Sequence, residues 1–183
     1  MRVETADLAD VLLFRPTPHR DERGFFTRTF DAEVAAAYGL DPADFVQDSQ
    51  SRSEHATLRG LHGRGGEGEG KLVRCARGAI LDVIVDARPG SPTYGRHQAF
   101  RLDDERFCML YVPRGFLHGF QVLSDVADIC YRIDRPHDPT EDLSVRYDDP
   151  ELAIAWPLPV ETLSPRDQSA GSWHDLGLRD VRS

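Results

Sequence analysis

The sequence predicts an all-β protein, and a jelly roll of two packed sheets is its natural architecture. Short apolar segments recur along most of the chain, and Gly, Pro and Asp residues interrupt them. Many short strands separated by turn signals are typical of sandwiches and barrels. Helical patterns are scarce, so we expect no more than one or two short helices, near the termini.

The predicted elements follow in chain order. A helix is expected over residues 33–38, capped by Asp31 and ended by Gly39. The predicted strands are residues 24–30, 58–61, 71–76, 79–85, 98–102, 108–112, 119–122, 127–133 and 143–147. After Trp156 the chain is rich in proline and poor in apolar residues, so we expect it to cross the surface as a loop outside the core.

Length and composition limit the class of protein. The chain has 183 residues, of which 40% are hydrophobic, and we expect a single domain over residues 1–183. No apolar run approaches the roughly 18 residues of a membrane helix, and acids occupy the N-terminus where a signal peptide would be apolar. We therefore expect a soluble, cytoplasmic protein that does not contact membranes.

Charge and cysteine content restrict the partners further. The formal net charge of −9 argues against nucleic acid, although a small anion could still bind where a few cations gather. Cys75, Cys108 and Cys130 lie far apart in apolar segments, so we expect reduced core residues.

Two of the seven histidines stand out from the sequence around them. His62 ends an alternating segment that contains Arg59, and His118 ends a turn flanked by apolar strands. An imidazole in apolar surroundings has a destabilised charged form, so it can act as a neutral base near pH 7. A histidine that is merely hydrogen-bonded in the core fits the same pattern, and both interpretations stay open.

The segment that ends at His118 has the spacing Pro-x-Gly-x-x-His over residues 113–118. It resembles the second motif of the cupin superfamily, a jelly-roll group in which many members bind a metal through this histidine and an earlier His-x-His. Here the earlier segment is His62-Gly63-Arg64. A guanidinium does not ligate a cation and would repel it, so we expect no metal site.

Asp82 interrupts the apolar segment 79–85. A carboxylate buried there would be costly unless it were paired. Either it points outward from a strand with one solvated face, or it orients a histidine or Lys71.

A series of motifs extends along nearly the whole chain. In order they are Asp21-Glu22-Arg23-Gly24-Phe25-Phe26, Gln47-Asp48, Leu58-Arg59-Gly60-Leu61-His62, Lys71-Leu72-Val73-Arg74, Gly78-Ala79-Ile80-Leu81-Asp82-Val83, Pro113-Arg114-Gly115-Phe116-Leu117-His118, Tyr131, Ile154-Ala155-Trp156-Pro157 and Leu163-Ser164-Pro165-Arg166-Asp167. Together they resemble the dTDP-4-dehydrorhamnose 3,5-epimerase family. The resemblance implies a cupin-type double-stranded β-helix, a homodimer without metal or organic cofactor, and a dTDP-4-keto-6-deoxy sugar as substrate.

The resemblance also implies roles for individual residues. His62 matches the catalytic base and Asp167 its paired carboxylate; Tyr131 matches the acid on the opposite face of the sugar. Lys71 matches the cation near the C4 oxygen, where it would stabilise an enolate. The residues matched to substrate binding are Arg23, Phe25, Gln47, Arg59, His118 and Asp142.

Several positions depart from the family pattern. The base is followed by Gly63-Arg64 and a glycine-rich stretch over residues 65–70, where an aromatic residue and Gln are usual. The other departures are Arg28, Ser49-Gln50, Pro136-His137 and Asp142. They leave open whether C3, C5 or both would be epimerised, and in which pathway. A metal-dependent cupin isomerase or dioxygenase, and a catalytically silent sugar-nucleotide binder, are the alternatives.

Overall fold

The described chain consists mainly of short strands. The structure is a computed structural model that describes residues 1–180, with side chains as far as Leu176. Its strands are β1 Arg2–Thr5, β2 Leu12–Arg15, β3 His19–Asp21, β4 Gly24–Phe26, β5 Gln47–Glu54, β6 Leu58–Arg64, β7 Lys71–Arg77, β8 Ala79–Asp86, β9 His97–Asp103, β10 Met109–Val112, β11 Phe116–Val122, β12 Val126–Ile133 and β13 Asp142–Ser144. Its helices are α1 Ala32–Ala37, α2 Pro165–Gln168 and α3 Trp173–Asp180, with 3-10 turns at Pro42–Asp44 and Pro139–Glu141.

Two antiparallel sheets form the body of the fold. The first has the strand order β1-β2-β10-β7-β12-β5, and the second the order β13-β6-β11-β8-β9. Neighbouring strands come from distant parts of the chain, and successive strands alternate between sheets at several points, as in a double-sheet jelly roll. Strands β3 and β4 form a separate hairpin. The predicted fold class, an all-β cupin-like jelly roll, is confirmed.

The main core lies between the two sheets. Val73 and Ile129 enter it from the first sheet, and Ile84 and Phe120 from the second. Because side chains alternate along a strand, the residues two positions before or after these also point inward. Lys71 in β7 and Tyr131 in β12 are such residues, so both face the space between the sheets at one end of the core.

The strand registers bring further polar groups to that end. Tyr131 pairs with Ser49 of β5, and Ile133 pairs with both Gln47 of β5 and Lys71 of β7. In the second sheet His62 of β6 lies directly opposite His118 of β11. The two histidines singled out from the sequence are therefore cross-strand neighbours.

Most predicted elements occur near their expected positions. Helix α1 begins after Asp31, whose side chain accepts hydrogen bonds from the amides of Glu33 and Val34. The strand expected over residues 24–30 ends at Phe26, and the one expected over residues 143–147 is the shorter β13, extended only by an isolated bridge at Val145. Strands β1, β2, β3 and β5 are absent from the predicted set. Strand β5 contains no apolar residue, so hydrophobic alternation cannot reveal it.

The expectation that the C-terminal segment crosses the surface as a loop is met by residues 157–164 but is wrong for the residues that follow. Trp173 and Leu176 are buried in a second apolar cluster together with Leu152. Asp167 lies in the short helix α2 rather than in a loop. Two apolar side chains in one helical turn suffice to dock α3, although the segment as a whole is poor in apolar residues. Among the described residues, no helix is long and apolar enough to span a membrane.

Candidate active site

A cavity of about 370 Å³ opens between the two sheets at their polar end. Six residues that the sequence analysis assigned to catalysis or substrate binding line it: Gln47, Arg59, His62, Lys71, Tyr131 and Asp142. They come from both sheets and are far apart in the sequence. The fold therefore gathers most of the predicted site into one space.

His62 is paired with a buried carboxylate. Its Nε2 lies 2.5 Å from Oδ1 of Asp167, and its side chain remains about one-third exposed. Nδ1 of the same ring has no partner among the described residues. The ring is thus anchored through one nitrogen, while the cavity gives a substrate access to the histidine.

Helix α2 carries Asp167 to this position. Ser164 caps the helix by accepting a hydrogen bond from the Asp167 amide, and Asp167 Oδ2 accepts a long one, of 3.5 Å, from the amide of Gly60. Burial favours the neutral acid, but the hydrogen bond and charge of His62 outweigh it and hold the pKa of Asp167 below its usual value. Asp167 is therefore held as a carboxylate beside the imidazole ring.

Strands β6 and β11 approach each other closely next to the two histidines. Gly60 has φ of +125°, and a Cβ at this position would lie 2.6 Å from Cα of Gly119. Only glycine allows both this conformation and this contact. The register between the two strands shifts between His118 and Phe120, beside the facing histidines.

Tyr131 enters the cavity from the opposite sheet. Its hydroxyl lies 3.3 Å from Oγ of Ser51, and its ring packs against the main core. Burial raises the pKa of the phenol, and the contact with Ser51 offsets this only in part. Tyr131 is thus a neutral phenol at ordinary pH, able to donate a proton.

Lys71 is buried and ion-paired. Its Nζ lies 2.9 Å from Oε1 of Glu69, a residue of the glycine-rich segment that joins β6 to β7. Only about 9% of the Lys71 side chain is exposed. The ammonium is therefore held in one place within the cavity, because its flexible stem is packed and its charge has a fixed partner.

His118 and Asp82 form a second histidine–aspartate pair, behind the cavity. Nε2 of His118 lies 2.8 Å from Oδ2 of Asp82, and both side chains are buried. The outward-pointing interpretation of Asp82 was wrong, since this residue faces the core and contacts a histidine rather than Lys71. The ring of Tyr131 meets that of His118 edge-on, with 6.4 Å between centroids.

Arg59 and Asp142 lie at the rim of the cavity. Arg59 donates a hydrogen bond to Oγ of Ser53 at 2.9 Å and remains exposed. Asp142 is bound by Arg166, with 2.8 Å between Nη1 and Oδ2. Arg59 is free to meet an anion, whereas the charge of Asp142 is already matched.

Three predicted substrate-binding residues do not line the cavity: His118, which lies behind it, and Arg23 and Phe25, which lie elsewhere. Arg23 and Phe25 belong to the β3–β4 hairpin and do not line the cavity. The guanidinium of Arg23 is bound to Asp21, and Phe25 is more than half exposed while it stacks on Phe107. The fold of a single chain therefore does not bring them to the other predicted residues.

The structure adds site residues that the sequence analysis did not select. Arg64, Glu69, Ser51, His137 and Arg166 all line the cavity. For Arg64 the sequence indicated only that a guanidinium there would disfavour a metal ion. Glu69 lies in a glycine-rich stretch without hydrophobic periodicity. Its place two positions before Lys71 was the one feature of the sequence that could indicate a role in the site. Ser51 could be found only once β5 was known.

The described residues contain no group of three His, Cys, Asp or Glu side chains placed to hold a metal ion. The histidines facing each other across β6 and β11 are each bound to their own aspartate. The expectation of a metal-free and cofactor-free protein stays a prediction.

A histidine–aspartate pair and a buried phenol on two facing sheets of a jelly roll place this chain among cupin-like proteins whose site could carry out acid–base chemistry. The model of the dTDP-4-dehydrorhamnose 3,5-epimerase family matches residues 5–175. The chain is 39% identical to the dTDP-4-dehydrorhamnose 3,5-epimerase of Escherichia coli K12, over 92% of each chain. The chain belongs to this family, and it is an isomerase.

Two further relatives differ in the names that describe their chemistry. The dTDP-4-dehydrorhamnose 3-epimerase of Streptomyces niveus is 40% identical, over 93% of this chain and 83% of its own. The 3,5-epimerase of Legionella pneumophila, solved in complex with dTDP-4-keto-L-rhamnose, is 38% identical with a TM-score of 0.91, covering 99% of this chain and 95% of that one. The family thus includes members named for one epimerisation and for two.

Proposed function

We propose that this protein epimerises C3, C5 or both in a dTDP-4-keto-6-deoxyhexose during deoxysugar biosynthesis in the cytoplasm. The observation that carries the proposal is the placement of His62 and Tyr131 on opposite sheets of one cavity. Inversion at carbon needs a base on one face of the sugar and a proton donor on the other.

His62 is the base. Its Nε2 faces Asp167 at 2.5 Å, so Nδ1 is the nitrogen that would take the proton from carbon. Asp167 holds the ring in one orientation and stabilises the imidazolium that forms, as the carboxylate of a catalytic triad does. The C–H bond breaks toward His62, and its electron pair moves into the enolate with the negative charge on the C4 oxygen.

Lys71 and Tyr131 complete the inversion. The buried Lys71 ammonium stabilises the enolate oxygen, and burial makes such an interaction stronger than it would be in water. Tyr131 then donates its proton to the carbon from the opposite face, and the new C–H bond has the inverted configuration. The phenol suits this role because it stays protonated in the cavity.

The nucleotide is bound by groups at the rim. Arg59 is exposed there, and a guanidinium fits phosphate oxygens in a bidentate manner. Gln47 lines the wall beside it, and Asp142 extends the polar rim. The His118–Asp82 pair fixes the surface beneath the sugar and orients the ring of Tyr131.

Arg23 and Phe25 act from a second copy of the chain in a homodimer. In one chain they lie on an exposed hairpin that ends in Phe25 and Phe26, both more than half exposed. Exposed aromatic residues beside an arginine are typical of an interface core. A hairpin that packs against a partner would bring its arginine to the partner's diphosphate site.

Proton exchange tests the function directly. The wild-type protein is incubated with dTDP-4-keto-6-deoxyglucose in D2O, and the C3 and C5 signals are followed by NMR together with the ratio of epimers. Loss of a signal with appearance of the inverted sugar supports the proposal and identifies the carbon. Tight dTDP binding without any exchange would instead indicate a silent sugar-nucleotide binder.

A further inference from the structure

The glycine-rich segment between β6 and β7 returns the chain so that charged residues at its two ends meet. Arg64 is the last residue of β6, Lys71 is the first residue of β7, and Glu69 lies between them. All three line the cavity. Their side chains are at least 89% buried, since the exposed fractions are 4%, 9% and 11%.

Two cations share one carboxylate in this cluster. Glu69 Oε1 accepts a hydrogen bond from Lys71 Nζ at 2.9 Å, and Glu69 Oε2 lies 2.9 Å from Nη2 of Arg64. The second contact is an ion pair that lacks the alignment of a hydrogen bond. Burial would raise the pKa of Glu69, but Lys71, Arg64 and His137 lower it below its usual value, so the carboxylate is ionised.

Arg64 is fixed independently of Glu69. Its Nη2 lies 2.8 Å from Nδ1 of His137, and its Nη1 donates to the backbone oxygen of Asp138 at 3.3 Å. Its nearest other carboxylate is Asp142, at 3.8 Å, which binds Arg166 more closely. The Arg64 guanidinium is therefore a preorganised charge whose main acidic partner is Glu69.

The net charge of Arg64, Glu69 and Lys71 together determines how well this cluster can stabilise an enolate. A Lys71–Glu69 pair alone is neutral and would stabilise an enolate poorly. The guanidinium of Arg64 offsets the carboxylate, so that the three residues together carry one net positive charge. Within a buried cavity such a difference of one charge is strongly felt, because solvent screens it little.

We infer that Arg64 is a positioning residue: by neutralising Glu69, it leaves the positive charge of Lys71 available to stabilise the enolate. This role rests on the proposed epimerase function and adds to it a residue outside the proton-transfer set. Arg64 acts through Glu69 and does not contact the reacting atoms. Its removal should therefore affect the formation of the enolate more than the binding of the nucleotide.

A double-mutant cycle tests the role. Arg64→Met is expected to lower kcat for deuterium exchange by about 10- to 100-fold, less than the loss of a direct oxyanion donor, with KM changed by less than about threefold. Adding Glu69→Gln should return kcat to within about threefold of the wild type, because Lys71 then has no carboxylate to cancel it. Glu69→Gln alone completes the cycle. The effect of the double substitution on kcat should differ from the product of the two single effects by more than about tenfold.

Controls separate charge from folding. Arg101→Met removes an arginine–aspartate ion pair on β9, outside the cavity, and should leave kcat unchanged. If Arg64→Met does not fold, Arg64→Gln removes the same charge while keeping a polar side chain, and the same results are expected. Thermal unfolding and dTDP binding confirm that each variant is intact.

The outcomes distinguish this inference from the function on which it rests. A wild-type protein without exchange would overturn both. An active wild type whose Arg64 variant has unchanged kcat, or whose double variant is no faster than Arg64→Met, would overturn the role of Arg64 alone. Rescue of kcat by Glu69→Gln, together with an Arg64→Met variant whose thermal unfolding and dTDP binding match the wild type, would not follow from a purely structural role of Arg64.

Discussion

The histidines of two histidine–aspartate pairs lie side by side in the second sheet, and they differ in their access to the cavity. His62 and Asp167 are 105 positions apart and meet through a docked helix, with the imidazole side chain 35% exposed. His118 and Asp82 belong to adjacent strands, and the imidazole side chain is 6% exposed. The two contacts have similar lengths, 2.5 and 2.8 Å.

The difference shows that a histidine–aspartate pair does not by itself define a base. A base must reach its substrate as well as hold the correct tautomer. His62 lines the cavity with about one-third of its side chain exposed, whereas His118 is buried against Phe120 and Tyr131. The first pair is suited to take a proton, and the second to hold neighbouring groups in place.

The largest expected effect is that of His62→Ala. Removing the only proposed base should abolish exchange at every carbon, by about a thousandfold or more, and leave dTDP binding largely intact. His118→Ala is the matched comparison and should retain measurable exchange. Exchange in the His62 variant at even a tenth of the wild-type rate would place the base elsewhere.

Substituting the aspartates sharpens the comparison. Asp167→Asn should lower kcat by about 100- to 1000-fold, because the amide stabilises neither the required tautomer nor the imidazolium. Asp82→Asn should cost about 1–3 kcal/mol of stability, since it disturbs a buried hydrogen-bonded pair, and reduce kcat far less. Steady-state kinetics and urea unfolding give both quantities, and equal losses of kcat would remove the distinction.

Tyr131→Phe separates proton removal from inversion. The ring and its packing remain, but the transferable proton is lost. His62 can still remove a proton and return it to the same face, so deuterium should enter the substrate while net inversion falls by about 100-fold. Exchange and epimer ratio are measured on one sample. Small and equal changes in both would identify Tyr131 as an ordinary core residue.

The lowered pKa of Asp167 predicts that acid reduces the stability of the folded protein modestly. Because its pKa is lowered in the folded state, its contribution to stability is complete above the unfolded pKa of about 4. The contribution is lost as pH falls through the folded pKa. Asp167→Asn should therefore unfold less steeply than the wild type on acidification below about pH 4, as monitored by circular dichroism. Identical slopes would contradict the assignment.

Chelation is expected to have no effect. Arg64 occupies the place of a metal-binding imidazole, and a guanidinium does not ligate a cation. Exchange should persist at the wild-type rate after exhaustive treatment with EDTA, with metal content measured on the same sample. Activity that is lost on chelation and restored by one divalent ion would support a metal-dependent cupin instead.

Local patterns predicted the site wherever a functional residue interrupts an apolar strand. Asp82 stands out within the apolar strand β8 and was noticed from its neighbours alone, whereas Tyr131 was assigned by resemblance to the family. Resemblance to a family was needed for Asp167, because nothing near it in the sequence indicates a partner. The same resemblance assigned Arg23 and Phe25 to the substrate, and in one chain they do not reach it.

Residue type and periodicity were enough to specify the all-β class, the helix after Asp31 and the candidacy of His62, since each depends on a few neighbouring residues. The tertiary structure was required for the polar strand β5 and for the burial of Trp173. It also revealed that Glu69 lies between Lys71 and Arg64. These features depend on which distant surfaces pack together, and packing is set by long-range contacts that local patterns do not encode.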